Sequence, residues 1–433
     1  MRILRLGVAV LILLGLVIGG IVLMSPAPAI AVIEPPPRSA FDPTLMKRGA
    51  ELAAIGNCAI CHTAPGGAAF AGGRPIPTPF GTIYSTNITP APGNGIGRWP
   101  EAAFRRAMRE GISRGGRHLY PALPYDHFVK LDDADLAALY AFIMTRPPVD
   151  AFTPPNELPF PLGERWVLSL WNLLFLDRTP FRADPTKSAE WNRGAYLVQG
   201  LGHCGDCHTP RNLLGAEKTS EALNGGSAEG WSAPALNAAS PAPLPWDEWH
   251  LAAYLRRGRD VEHGAAAGPM QPITADLAAA SDADIEAIAA YLVAERGEIS
   301  LSQRRRADAA RARAAASELP RPAPGEEVGA TIFAGACAFC HGPGQAIGPP
   351  HGISLALSTA VNDAEPRDAI LILLDGIRPA DGATGPTMPG FAGAFTDDQL
   401  AALLRYVRAH YGSGPAWTDI AAVLGEIRSG GRK

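Results

Sequence analysis

The chain is expected to be mainly α: three tandem copies of one small helical module with long loops, behind an N-terminal apolar helix. Three observations predict this. The string C-x-x-C-H occurs at Cys58–His62, Cys204–His208 and Cys337–His341, and uses all 6 cysteines of the 433 residues. The flanks repeat with it, which marks one fold used several times. Strand-like alternation is scarce, whereas helical periodicity recurs.

The elements follow in chain order. Arg2 and Arg5 precede an uncharged run from Leu6 to Met24 that ends in "SPAPAIA". This is an export signal close to the length that spans a bilayer, read either as a retained anchor with its arginines inside or as a cleaved signal peptide. Before each motif stands a short helical stretch with glycine near its start: "KRGAELAAIG", "NRGAYLVQGLG" and "GATIFAGA". Each repeat closes on a second helix: "LDDADLAALYAFIM", "ASDADIEAIAAYLV" and "FTDDQLAALLRYVR". Asp132, Ser281 and Thr396 stand at the N-cap, acids fill the first turn, and Phe142, Tyr291 and Tyr406 share one offset. Asp132/Asp133 and Asp282/Asp284 are therefore helix-start acids, not a catalytic pair. Segment boundaries follow at 1–31 (signal or anchor), 42–150 (first module), 151–186 (connection), 187–299 (second module), 300–325 (linker), 326–415 (third module) and 416–433 (tail). The connection holds "WVLSLWNLLFL", too short to span a membrane and expected to pack between modules. The Arg-rich linker is expected to be a polar, solvated helix running into a Pro-rich stretch.

Composition narrows the class. The length exceeds one ordinary core, and 47% hydrophobic with 18% charged residues fits a folded globular chain. A net charge of −4 gives no footprint for nucleic acid.

Outside the cytoplasm paired thiols normally become disulfides, but three closely spaced pairs, each followed by His, make a poor disulfide framework. They are the attachment signature of c-type haem. Each thiol adds to a haem vinyl group, and the next residue is held beneath the porphyrin. Cys58, Cys61, Cys204, Cys207, Cys337 and Cys340 are thus the covalent anchors of three haems c, and His62, His208 and His341 the proximal ligands. Zinc also takes C-x-x-C pairs but has no need of His directly after the second Cys.

For the opposite face of the iron, each motif is followed by a helix ending at Gly111, Gly258 or Gly376. Twelve residues on lie Met270 in "GPMQPI" and Met388 in "GPTMPGF", both expected in Gly/Pro loops as thioether ligands. The same offset in the first repeat gives Leu123, which cannot bind iron. Met108 is the tentative substitute, although its counterparts are Leu255 and Leu373. His118, His127 and a five-coordinate iron remain alternatives. His203 and His263 are read as structural loop residues. The repeated module is the small class I cytochrome c fold, with N- and C-terminal helices crossing over the haem.

With these residues in view, the chain resembles the membrane-bound, three-haem cytochrome c subunits of bacterial periplasmic dehydrogenases. Those serve alcohol, aldehyde, gluconate, sorbitol or fructose, and nicotinate-type enzymes. The resemblance rests on "RGAELAAIGNCAICHTAPGG", "TNITPAPGNGIGRWPEAAFRRAMREG", "RHLYPALPYDHF", "WNRGAYLVQGLGHCGDCHTPRN" and "IGPPHGISLAL", and Leu123 departs from it. It implies an electron-transfer subunit on the periplasmic side of the inner membrane. Its partners would be a flavin- or molybdenum-type catalytic subunit, a small subunit, and ubiquinone or a terminal acceptor. Nothing in the chain itself suggests a flavin, molybdenum or iron–sulfur site. Two other functions stay open: a peroxidase-like haem enzyme using an open first haem, and a free-standing membrane-tethered shuttle.

Overall fold

Asp42 opens the first helix: its carboxylate accepts from Thr44 N at 2.7 Å, and Pro43 fills the first helical position, where a missing N–H costs nothing. In the computed structural model, residues 14–15, 19–20, 27–343, 354–378 and 388–430 are described. They fall into two units, Met1–Arg182 with Gln199–His203, and Ala183–Val198 with Cys204–Lys433. The apolar run Leu6–Met24 lies outside the described residues except for four positions. Among the described residues no helix is long and apolar enough to cross a membrane.

The first unit carries helices α1 (Pro43–Ile55), α2 (Glu101–Glu110), α3 (Asp133–Met144) and α4 (Arg165–Phe175), with an antiparallel hairpin of β1 (Pro75–Thr78) and β2 (Gly81–Tyr84). Asp132 caps α3 by accepting from Asp135 N at 2.7 Å. α2 stops at Gly111, which takes the left-handed φ of 61° that glycine adopts without strain. α1 crosses α3 at Gly49, where a Cβ would collide with the Ala138 carbonyl and Phe142 Cβ. The stretch expected to pack between modules forms α4 and turns only one face inward. Leu168, Ser169 and Asn172 are buried, and Asn172 accepts from the Tyr125 hydroxyl at 2.6 Å. Trp166, Leu170, Leu173 and Leu174 remain exposed, because apolar residues surround this helix and it has one packed side.

The second unit holds α5 (Ala189–Tyr196), β3 (Gly226–Ala228), β4 (Trp231–Ala233), α6 (Glu248–Arg257), α7 (Met270–Leu277), α8 (Asp282–Arg296), α9 (Leu301–Ala314), α10 (Glu327–Ile332), α11 (Arg367–Asp375), α12 (Asp397–Tyr411) and α13 (Ile420–Arg428). Two further crossings repeat the first. α5 meets α8 at Gly194, against the Ala287 carbonyl and Tyr291 Cβ. α10 meets α12 at Gly329, against the Ala402 carbonyl and Tyr406 Cβ. Ser281 caps α8, and Thr396 with Gln399 forms a reciprocal capping box on α12.

Two segments pack more than their sequence suggests. The linker helix α9 is capped by Ser300 and Gln303 and buries Ala307 and Ala310 with Leu244, so it is not wholly solvated. The small side chains hide this face among the arginines. The tail contributes α13, whose Ile420, Leu424 and Ile427 join Trp417, Phe333 and Tyr406 in one buried cluster.

Gly49→Ala, Gly194→Ala and Gly329→Ala are each expected to cost about 1–3 kcal/mol, the usual cost of overpacking. Gly425→Ala on α13, where nothing lies within 4 Å of the added Cβ, is the control, expected to melt at or slightly above the parent because alanine is favoured over glycine inside a helix. Thermal melts of the full chain check this, and equal melting of a crossing variant and the control would contradict the crossing geometry.

Candidate haem sites

The first motif forms a short helix, Cys58–His62, entered through Asn57 in the left-handed region at φ 51°. One turn puts Cys58 and Cys61 on the same helix face. His62 donates from Nδ1 to the Thr86 carbonyl at 2.6 Å, just beyond β2. In the second motif His208 does the same to the Pro234 carbonyl at 2.7 Å, directly after β4. Such a bond fixes the tautomer and ring orientation and aims the lone pair of Nε2 away, as metal-ligating histidines require. Burial lowers the pKa of both imidazoles, opposed by the carbonyl bonds, so both stay in the neutral form a metal binds.

The third motif ends in the short helix Ala338–His341, and residues 344–353 after it lie outside the described residues. None of the six thiols is in a disulfide. Burial pushes Cys204 up to about 12 and Cys337 up to about 11. These sites hold partly buried thiols in pairs on one helical turn, none of them in a disulfide, each pair followed by an imidazole. At the first two, one imidazole nitrogen is already engaged by a carbonyl. That donor set fits a group needing two thioether anchors and one nitrogen ligand, as haem c does.

The candidate sixth ligands are placed unequally. After each glycine-ended helix the backbone is tied back by a short antiparallel pairing: Ile112 with His118, Arg259 with Ala265, and Ile377 with Met388. Met388 is itself the paired residue, exchanging bonds of 2.9 and 2.8 Å with Ile377. Met270 lies beyond the pairing and begins α7 instead of sitting in a loop. A longer connection joins Ile377 to Met388, so the same count of residues reaches different places. By place, Leu123 corresponds to Met270, and His118 to Met388.

Met108 is 8% exposed on α2, as buried as Leu255 and Leu373 at 5% and 7%, and packs with Ala103, Phe104 and Ala107 on that helix's buried face. His127 donates from Nδ1 to the Gln199 carbonyl at 2.8 Å. His118 Nδ1 is buried with no hydrogen-bond partner, and burial lowers its pKa. His203 takes φ 35° directly before Cys204, as Asn57 does before Cys58. His263 is buried in a 3.5 Å stack on Trp246, which fits a structural role.

The fold and the motifs define a c-type cytochrome. Residues 46–147 match the family model "Cytochrome c", and residues 325–407 match "Cytochrome C oxidase, cbb3-type, subunit III". The chain is 45% identical over 92% of its length to a subunit of the nicotinate dehydrogenase of Pseudomonas putida, but spans only 33% of that protein. It is 37% identical to the fructose dehydrogenase cytochrome subunit of Gluconobacter japonicus, with 92% of this chain and 86% of that one covered. The gluconate 2-dehydrogenase cytochrome c subunit of Pantoea cypripedii is 36% identical, with 89% of each chain covered. The chain belongs to the family of cytochrome c subunits of bacterial dehydrogenases.

Asp276, on the helix that Met270 begins, is raised by burial to about 6 from its ordinary 3.8. A raised carboxyl contributes stability that is present below its unfolded pKa and lost as pH rises through the folded one. Asp276→Asn is therefore expected to melt above the parent chain at pH above about 6, with the gap closing below 3.8. A gap that does not change with pH would contradict this.

Proposed function

We propose that the chain carries three covalent haems c and passes electrons singly from a dehydrogenase catalytic subunit to an acceptor in the membrane. Each glycine-crossed helix pair (α1/α3, α5/α8, α10/α12) is then one class I cytochrome c module, with boundaries near 42–150, 187–299 and 326–415. Cys58/Cys61, Cys204/Cys207 and Cys337/Cys340 hold the porphyrins, and His62, His208 and His341 bind from the proximal side. Bound haem supplies a one-electron iron couple, whose potential rises with a thioether ligand. Met270 and Met388 are proposed to provide that thioether at the second and third sites.

The observation that carries the reading is the shared arrangement of helix crossing and motif, with an Nδ1-to-carbonyl bond at both His62 and His208. What relatives are named for supports a catalytic partner oxidising an alcohol, sugar acid, sugar or nicotinate-type substrate. The partner is of flavin or molybdenum type, accompanied by a small subunit, and ubiquinone at the periplasmic face of the inner membrane is the proposed acceptor. The N-terminal run Leu6–Met24 would tether the chain there. The test is purification from membranes in mild detergent: a catalytic companion whose substrate reduces the haems is expected. A chain that emerges alone and is reduced by no such companion would favour the free shuttle.

Leu123 favours one further reading, in which an open first haem does chemistry. Against it stands His118, whose buried, unpartnered Nδ1 and pairing with Ile112 support it, ahead of Met108, as the first site's sixth ligand. His118→Gln is expected to turn one haem high-spin and open to carbon monoxide, whereas Met108→Leu leaves all spectra unchanged. A high-spin first haem in the parent chain would instead favour the haem-enzyme reading.

A further inference from the structure

The β3–β4 hairpin touches more than the second motif. Pro234, next after β4, accepts from His208 through its carbonyl at 2.7 Å. At the other end Gly226 lies against the carbonyls of Cys207 and Thr209, where a Cβ has no room. At the tip, the Trp231 indole lies against Gly268, which has φ +53° and stands two residues before Met270. A Cβ at Gly268 would run into the ring. The hairpin thus reaches both the proximal histidine and the loop leading to the proposed thioether.

Trp231 also packs against the buried cluster of the third helix pair, which includes Phe333, Leu374 and Tyr406. Cys337 and Met388, the proposed anchor and sixth ligand of the third site, pack on the same cluster. The tip is held there by α11. Ser232 N donates to Asp368 Oδ1 at 2.9 Å, and Arg367 Nε donates to the Gly230 carbonyl at 2.5 Å. Arg367 is in turn fixed by Glu426 on α13 at 3.2 Å.

We propose that Trp231 is a positioning residue that couples the second and third haem sites for electron transfer, with Arg367 and Asp368 holding its hairpin in place. The inference rests on the three-haem reading. With haem bound at both sites, a one-electron transfer between them would oxidise one iron and reduce the other with no bond made or broken, and Trp231 would hold the protein that joins the two sites. The partner dehydrogenase supplies the electron. A large rigid ring packed on one side against Gly268 and on the other against the buried cluster keeps these two segments apart, and a smaller side chain would lose that packing.

The test uses the full haem-loaded chain and its Trp231→Leu and Trp231→Phe variants. Three quantities are measured: haems per chain, the potential of each haem, and the rate of electron equilibration between haems after pulsed photoreduction. Trp231→Leu is expected to slow equilibration between the second and third haems with all three potentials unchanged, and Trp231→Phe to stay close to the parent. A Trp231→Leu rate equal to the parent overturns the inference. If Trp231→Leu loses a haem, the double variant Arg367→Gln/Asp368→Ala decides, because it removes both of these ties from α11 to the tip without altering the ring. Slower equilibration in that variant supports the coupling, and an unchanged rate overturns it. Two haems in the parent chain would overturn the three-haem reading and this inference together. Three haems with an unslowed variant overturn the inference alone.

Discussion

Each of the three helix pairs closes at a residue with no side chain. At Gly49, Gly194 and Gly329 the backbone of one helix rests directly on the carbonyl of an alanine in the other, and an aromatic one turn later covers the contact. Glycine inside a helix costs roughly 0.5–1 kcal/mol relative to alanine. The close approach offsets this, because it lets the apolar faces of two helices meet without a gap. The crossing also sets where the chemistry sits. α1 ends shortly before Cys58, α5 runs through a π turn toward Cys204, and α10 through another into Cys337. Fixing the crossing fixes the start of the motif, and with it the face on which a porphyrin would be held.

From that start, the segments after the hairpins fix the motif histidines. β2 and β4 each bring a backbone carbonyl to an imidazole, at Thr86 and Pro234, so the ring's tautomer is set by the fold and not by a side chain. The distal side is built with less uniformity. All three glycine-ended helices are tied back by a backbone pairing, but the connection is longer in the third, and this shifts which residue the pairing presents. The residue that the pairing presents is therefore His118 in the first, Ala265 in the second and Met388 in the third.

Much of this was legible in the residues themselves. The motifs, the caps at Asp132, Ser281 and Thr396, and the stops at Gly111, Gly258 and Gly376 are side-chain or glycine signals, and each appears where the pattern put it. The acceptors for His62 and His208 were not legible, because a backbone carbonyl leaves no mark in residue identity. Ala307 and Ala310 were masked by the arginines around them, and α13 by its position beyond the last repeat. Counting residues from the glycines gave Met270 and Met388 one offset but not their surroundings, since a count is blind to loop path, and Met270 begins a helix whereas Met388 sits in a backbone pairing. Trp231 carried no motif, and the contacts that single it out are made far along the chain.

The claim that organises all of this is that three similar sites on one chain each hold a haem. Intact mass of the purified chain, made in a host able to attach haem c, tests it most directly. The account predicts the polypeptide plus three haems, with Cys337→Ser/Cys340→Ser lowering the count to two. A parent chain carrying two haems, or a double variant that loses none, would contradict it.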